Sequence, residues 1–266
     1  MMIQFSFNRF AKLARWSLTN DKKYHWKSFL QTLVILVLVF LFFTTSPNRI
    51  MVNQNSVVYQ ACCIATLVTF AVTIVMGSSF MFYSMAGKHD MQSLLMLPAS
   101  NFEKYLMRYA SWIILIPLYL VAFFAADLVQ YVINMLMGHD YTTFVTTSII
   151  DAVGDTWHKI PAKVQVGFAY GMTLTAIWLH SCYALGATLF RWPKYNWVPT
   201  TLIIILIGAL IVWLTPEHSA LQLDEESTGT TVAIGTVIYA VWTLLNFWLS
   251  YRLFCRQQVI GKFINI

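Results

Sequence analysis

From Phe29 to Thr45 the chain reads FLQTLVILVLVFLFFTT, and this stretch decides the fold. It holds no charge, no proline and no glycine, so nothing in it resists a helix or demands water. A helix needs about 20 predominantly apolar residues, range about 17–25, to cross roughly 30 Å of hydrocarbon. Five further runs have the same character: Val57–Tyr83, Tyr105–Asp127, Val164–Phe190, Trp197–Leu214 and Thr230–Phe254. The first and fifth are short for a span; the second and fourth are long enough to tilt or project. Charges occur only near the ends of the third and sixth, at Arg108, Asp127 and Arg252. Beyond Asp127 the third run stays apolar to Met137. We read that tail as an interfacial extension on the outer side, with Asp127 exposed at the interface.

Composition agrees with lipid as the solvent. Of 266 residues 58% are hydrophobic and 11% charged, and mean hydropathy is +0.63. A soluble domain carries about 25% charged residues, and this chain has too few to cover a globular surface. The expectation is an all-α integral membrane protein with six transmembrane helices. The net charge of +6 is spread over short loops rather than gathered in one patch, which argues against nucleic acid as a partner. With the N-terminus inside, fourteen of the seventeen Lys and Arg residues fall on inner segments; Arg49, Lys159 and Lys163 are the outer ones. The positive-inside rule then puts both termini in the cytoplasm. Asp224, Glu225 and Glu226 occupy the last outer loop. The first apolar run lacks a small-residue cleavage site after it and reads as a retained helix.

Residues 1–28 precede that helix. Ile3, Phe7, Phe10, Ala11, Ala14 and Leu18 share one face of a helical wheel, and Asn8, Arg9, Lys12, Arg15 and Thr19 the other, with Phe5 and Trp16 among them. This is the pattern of an amphipathic helix in the inner headgroup layer, its basic side toward anionic lipid. The plainer alternative is a basic topogenic flank. The outer loop Gly138–Ala162 reads as a short surface helix or part of a lid.

Chemistry-bearing constellations are absent from the sequence. The six histidines are scattered, and neither a zinc-protease H-E-x-x-H nor a nucleophile-elbow G-x-S-x-G occurs. Gly77-Ser78-Ser79 reads as small residues at a helix contact. The four cysteines form no C-x-x-C pair and read as buried thiols. Gly261-Lys262 lacks the rest of a phosphate loop, so no ATP site is expected here. A non-catalytic chain without a metal or cofactor of its own follows. Polar residues within spans are functional candidates by default. Gln60, His180 and Asn246 are the pathway candidates, with interhelical hydrogen bonding the alternative for the last two.

The cytoplasmic loop Ser84–Lys104 carries the most local structure. His89–Met96 is helix-compatible with Asp90 near its start, where the helix dipole favours negative charge. Pro98 disfavours helical geometry at Leu97 and ends it. Ser100-Asn101-Phe102-Glu103 is a capping box for the third span.

At this loop the chain resembles the coupling-helix region of type-2 ABC exporter permeases. Members have an acidic residue, a run ending Leu-Pro-x-Ser, then a third span opening on an aromatic or aliphatic residue with a nearby base. Asp90, Leu97, Pro98, Ser100, Tyr105 and Arg108 match. Many members carry hydrophobic re-entrant helices between spans five and six, where this chain has a short acidic loop. The outer loop after span three is longer than in polysaccharide-exporting members.

The resemblance implies a permease subunit in the bacterial cytoplasmic (inner) membrane, an exporter coupled to a separate ABC ATPase subunit that binds ATP and magnesium. A second permease copy, identical or related, completes the transporter. It also implies a division into an interfacial segment 1–28, a permease domain 29–254 and a cytoplasmic tail 255–266. The ATPase-coupling residues would be His89, Asp90, Ser93, Leu94, Met96, Leu97, Pro98, Ser100 and Glu103. The other reading is a polytopic secondary transporter or membrane assembly protein without an ATPase.

Overall fold

The structure, a computed structural model, describes residues 5–45, 55–85, 87–139, 142–190, 192–214 and 228–256. These form helices α1 (Phe7–Asn20), α2 (Lys22–Thr45), α3 (Asn55–Met76), α4 (Lys88–Met96), α5 (Asn101–Ile113), α6 (Leu115–Leu136), α7 (Val145–Lys159), α8 (Ala162–Leu189), α9 (Trp197–Leu214) and α10 (Thr228–Cys255). A 3-10 segment, Gly77–Met85, continues α3. Most of the acidic outer loop and the tail beyond Arg256 lie outside the described residues, as do Ile3 and Arg49.

Among the described residues, four helices are long and apolar enough to cross a membrane: Lys22–Thr45, Tyr59–Met85, Asn101–Leu136 and Ala233–Cys255. Their surfaces fit that role, because Val34, Leu38, Phe42, Val121 and Leu244 are each more than half exposed. The expected fourth and fifth spans are helices of 28 and 18 residues. Gln165, Tyr170, Thr173, Thr175, His180 and Ser181 dilute the apolar character of α8.

The third span differs from its expected bounds. Helix runs from Asn101 to Leu136, interrupted only by a turn at Ile114. Pro117 explains the interruption: its ring clashes with the carbonyl four residues back, and it has no N–H to donate there. At 1.5 Å per residue the 36 residues extend about 54 Å, well past a hydrocarbon core. At least one end therefore projects.

Contacts divide the chain into two compact units, with boundaries after Ala14, Thr73, Tyr109 and Ala169. One contains the first part of α1, the 3-10 segment, α4, the start of α5, most of α8, and α9 and α10. There, α8 and α9 approach so closely at Gly186 that any side chain would strike Thr200. Ser78 donates to the His180 carbonyl at 2.7 Å, so the small residues at 77–79 do mark a helix contact.

The second unit holds α2, most of α3, α6 and α7 around a core of Phe40, Tyr59, Cys62, Ala126 and Val145. Asp127 corrects the expectation of interfacial exposure: it is 2% exposed. Its carboxylate accepts the Val145 and Thr146 backbone N–H groups at 2.8 and 2.9 Å and the Thr146 hydroxyl at 2.6 Å. Gln130 donates to it at 3.0 Å. An acid in an apolar run has thus become the acceptor for the N–H groups that the start of α7 leaves without an intrahelical partner.

Candidate functional site

Helix α4 joins the second and third candidate spans. Asp90 accepts the Gly87 N–H at 3.3 Å. Gly87 has no side chain to return a bond, so only this half of a capping box forms. At the other end Leu97 is extended (φ −60°, ψ 137°), as a residue before proline should be. Leu94 is fully buried, whereas Met96 is 83% exposed. His89 and Ser93 are exposed too. Spacings of four and three put His89, Ser93 and Met96 on one face of a helix. The helix therefore turns Leu94 inward and this polar-apolar face outward.

The start of α5 completes the expected capping box. Ser100 Oγ accepts the Glu103 N–H at 3.2 Å, and Glu103 Oε2 accepts the Ser100 N–H at 2.8 Å. Glu103 does more than the box requires. Its Oε1 accepts the Ser6 N–H at 2.7 Å, immediately before α1, and both its oxygens bind Arg9. One fully buried carboxylate therefore serves the first turns of two helices. Glu103 raises the Arg9 pKa above its ordinary value, first through the side-chain hydrogen bond.

Two buried cations on α5 continue the pattern. Lys104 Nζ donates to the Leu95 carbonyl at 2.7 Å, satisfying the last turn of α4 where positive charge is favoured. Arg108, 1% exposed, donates from Nε and Nη2 to the Met81 carbonyl at 3.1 and 2.9 Å. It also binds the Ser84 hydroxyl. Tyr105 donates to Ser250 at 3.0 Å, and its ring meets Tyr251 and Phe254 of α10. A buried charge without partners would be expensive. Here Lys104 is matched to the last turn of α4 and Arg108 to the 3-10 segment, so α4 is tied to α5 through Lys104 and cannot shift alone without exposing that charge.

The pathway candidates separate. Gln60 is exposed on α3, in the second unit. His180 lies in the first. Its Nδ1 is 2.8 Å from the Ile74 carbonyl and its Nε2 2.7 Å from Tyr109 Oη. A carbonyl only accepts, so Nδ1 carries the proton, and neutral Nε2 accepts from the tyrosine. Asn246 donates to Ser181 Oγ at 2.9 Å and lies 3.3 Å from Cys182 Sγ. Both residues join helices. Asn246 also borders an apolar groove of about 160 Å³ between α8, α9 and α10, beside Trp178, Thr200 and Trp242.

Sequence reading missed the pairing of Arg9 with Glu103 and placed Arg9 among headgroup-facing residues. It had no local signal, because the partners are 94 positions apart. Asp127 did leave a signal: Asp127, Gln130 and Asn134 recur at helical spacing as a polar seam in an apolar run. No family model matches the chain, and neither a curated protein nor a solved structure matches it.

Proposed function

We propose that the chain is the permease subunit of an ATP-driven ABC transporter, coupled to a separate ATPase through residues 88–104. In this reading it has six spans, α8 and α9 supplying the fourth and fifth, with both termini in the cytoplasm of a bacterial inner membrane. A second permease copy completes the transporter, and export is its direction.

The observation that supports the reading most is the construction of α4. It presents His89, Ser93 and Met96 outward, while Lys104 and the adjoining capping box bind it to the third span. A partner that pushes on the exposed face moves the start of that span with it. Arg108 extends the connection to the 3-10 end of the second span. This suits a lever better than a loose surface loop.

A photo-crosslinking residue replacing Met96, in native membranes, tests the reading. The expected product contains a phosphate-loop ATPase whose crosslink yield changes with ATP. Crosslinks confined to lipid or to proteins without nucleotide sites would overturn it.

A further inference from the structure

We infer that α7 is a re-entrant interfacial element, its first turn sunk within the outer half of the bilayer and one exposed face in contact with lipid acyl chains. The inference rests on reading α6 as a membrane span and is independent of the ATPase proposal.

Depth is the first argument. Asp127 binds the first N–H groups of α7, and Gln130 donates to the Thr143 carbonyl at 3.0 Å. Asp127 lies nine residues before the end of α6 at Leu136, about 14 Å along the axis. The chain leaving α6 must therefore fold back by that distance before α7 begins. Phe144 stacks on Tyr131 on the way, ring centroids 4.2 Å apart. Val145 is fully buried among Phe40, Tyr59, Cys62 and Ala126, with Ile149 packed against the same cluster. An element resting on top of the bundle would have no residues at this depth.

The second argument is the surface. Over those same last turns of α6 and at the residue that ends it, Leu128, Met135, Leu136 and Met137 are 56–81% exposed, an apolar belt better matched to lipid than to water. Helix α7 continues it. Ile150, Val153 and Trp157 are 65%, 48% and 40% exposed and fall within about 60° of one another on a helical wheel. Val145 and Ile149, on another side, face the core. Asp151, Asp155 and His158 form a third, exposed polar face. Three faces toward protein, lipid and water are the arrangement of a helix held at an interface. The tryptophan near its C-terminal end suits the headgroup level.

Spin labels distinguish the alternatives. Single cysteines replacing Ile150, Val153, Trp157, Asp151, Asp155 and His158, in a background lacking the four native cysteines, are labelled in the full chain. The chain is reconstituted in phosphatidylcholine–phosphatidylglycerol vesicles. Labels at 150, 153 and 157 are expected to favour collision with oxygen over a water-soluble nickel chelate, and those at 151, 155 and 158 the reverse. A label at Val121, on the exposed surface of α6, reports on the span itself. If it reads lipid while every α7 site reads water, the re-entrant assignment is wrong and the span stands. If Val121 also reads water, the membrane reading falls with it.

Discussion

Arg9 donates from Nε and Nη2 to the two oxygens of Glu103, at 2.8 and 2.7 Å. This two-point geometry fixes orientation as well as distance, and it ties the N-terminal helix to the residue that caps the third span. Arg9→Lys keeps the charge and loses the fork. We expect it to lower substrate-stimulated ATP hydrolysis of the reconstituted complex about as much as Arg9→Ala does. Full activity in the lysine variant would mean that charge alone suffices.

The capping box gives a graded series. Ser100→Ala removes the acceptor for the Glu103 N–H, a local loss of about 0.5–2 kcal/mol. Adding Glu103→Ala also releases Ser6 and Arg9. The pair is expected to reduce coupled ATPase activity more than folded yield, and Ser100→Asp, which retains an acceptor, to restore most of it. Equal activity in all three would reduce the segment to an ordinary helix start.

Helix α4 separates stability from contact. Leu94→Ala empties a fully buried site and should cost about 2–5 kcal/mol, visible as a lower melting temperature in detergent. Met96→Glu alters an exposed side chain and should leave melting unchanged while uncoupling hydrolysis from transport. If Met96→Glu transports normally, the outward face is not the contact.

Gly186 and Thr200 test the packing of α8 on α9. Gly186→Ala forces a methyl group onto the threonine side chain, and overpacking of this kind costs about 1–3 kcal/mol. Thr200→Ala in the same chain removes the colliding hydroxyl and methyl and should recover part of the loss. Purely additive melting shifts would show that the two helices are farther apart.

Orientation is tested separately. A reporter fused after Ile266 should be cytoplasmic, and one inserted near Glu225 external. Opposite labelling at either position contradicts the six-span arrangement.

What could be read from sequence was local or periodic. The uncharged run at Phe29–Thr45 required a helix, and Leu97-Pro98 with Ser100 and Glu103 required a break and a restart, because those rules act within four residues. Helix α4 and the box appear where they were expected. What escaped depends on tertiary neighbours. The partners of Asp127 lie 18 and 19 residues ahead, and its place in an apolar run gave no hint that a helix would fold back to meet it. The sequence assigned Leu13 and Ser17 of α1 to no face, and both are buried; a wheel drawn for lipid alone carries no sign of protein neighbours. His180 and Asn246 were legible as polar residues in spans, but their partners were not.

The 3-10 segment Gly77–Met85 changes the arithmetic of the second span. Nine residues at about 2.0 Å each cover about 18 Å, against about 13.5 Å for the same residues as α-helix. They also turn through about 1080° rather than 900°, so whatever follows them is rotated by half a revolution. Phe80 and Tyr83, three apart, lie over one another with ring centroids 6.0 Å apart, as the threefold repeat demands. The difference grows by about 20° per residue from Gly77, so that by Met85 a side chain points to the opposite side from the one an unbroken α-helix would give it. The span gains roughly 4.5 Å of reach without a single additional residue.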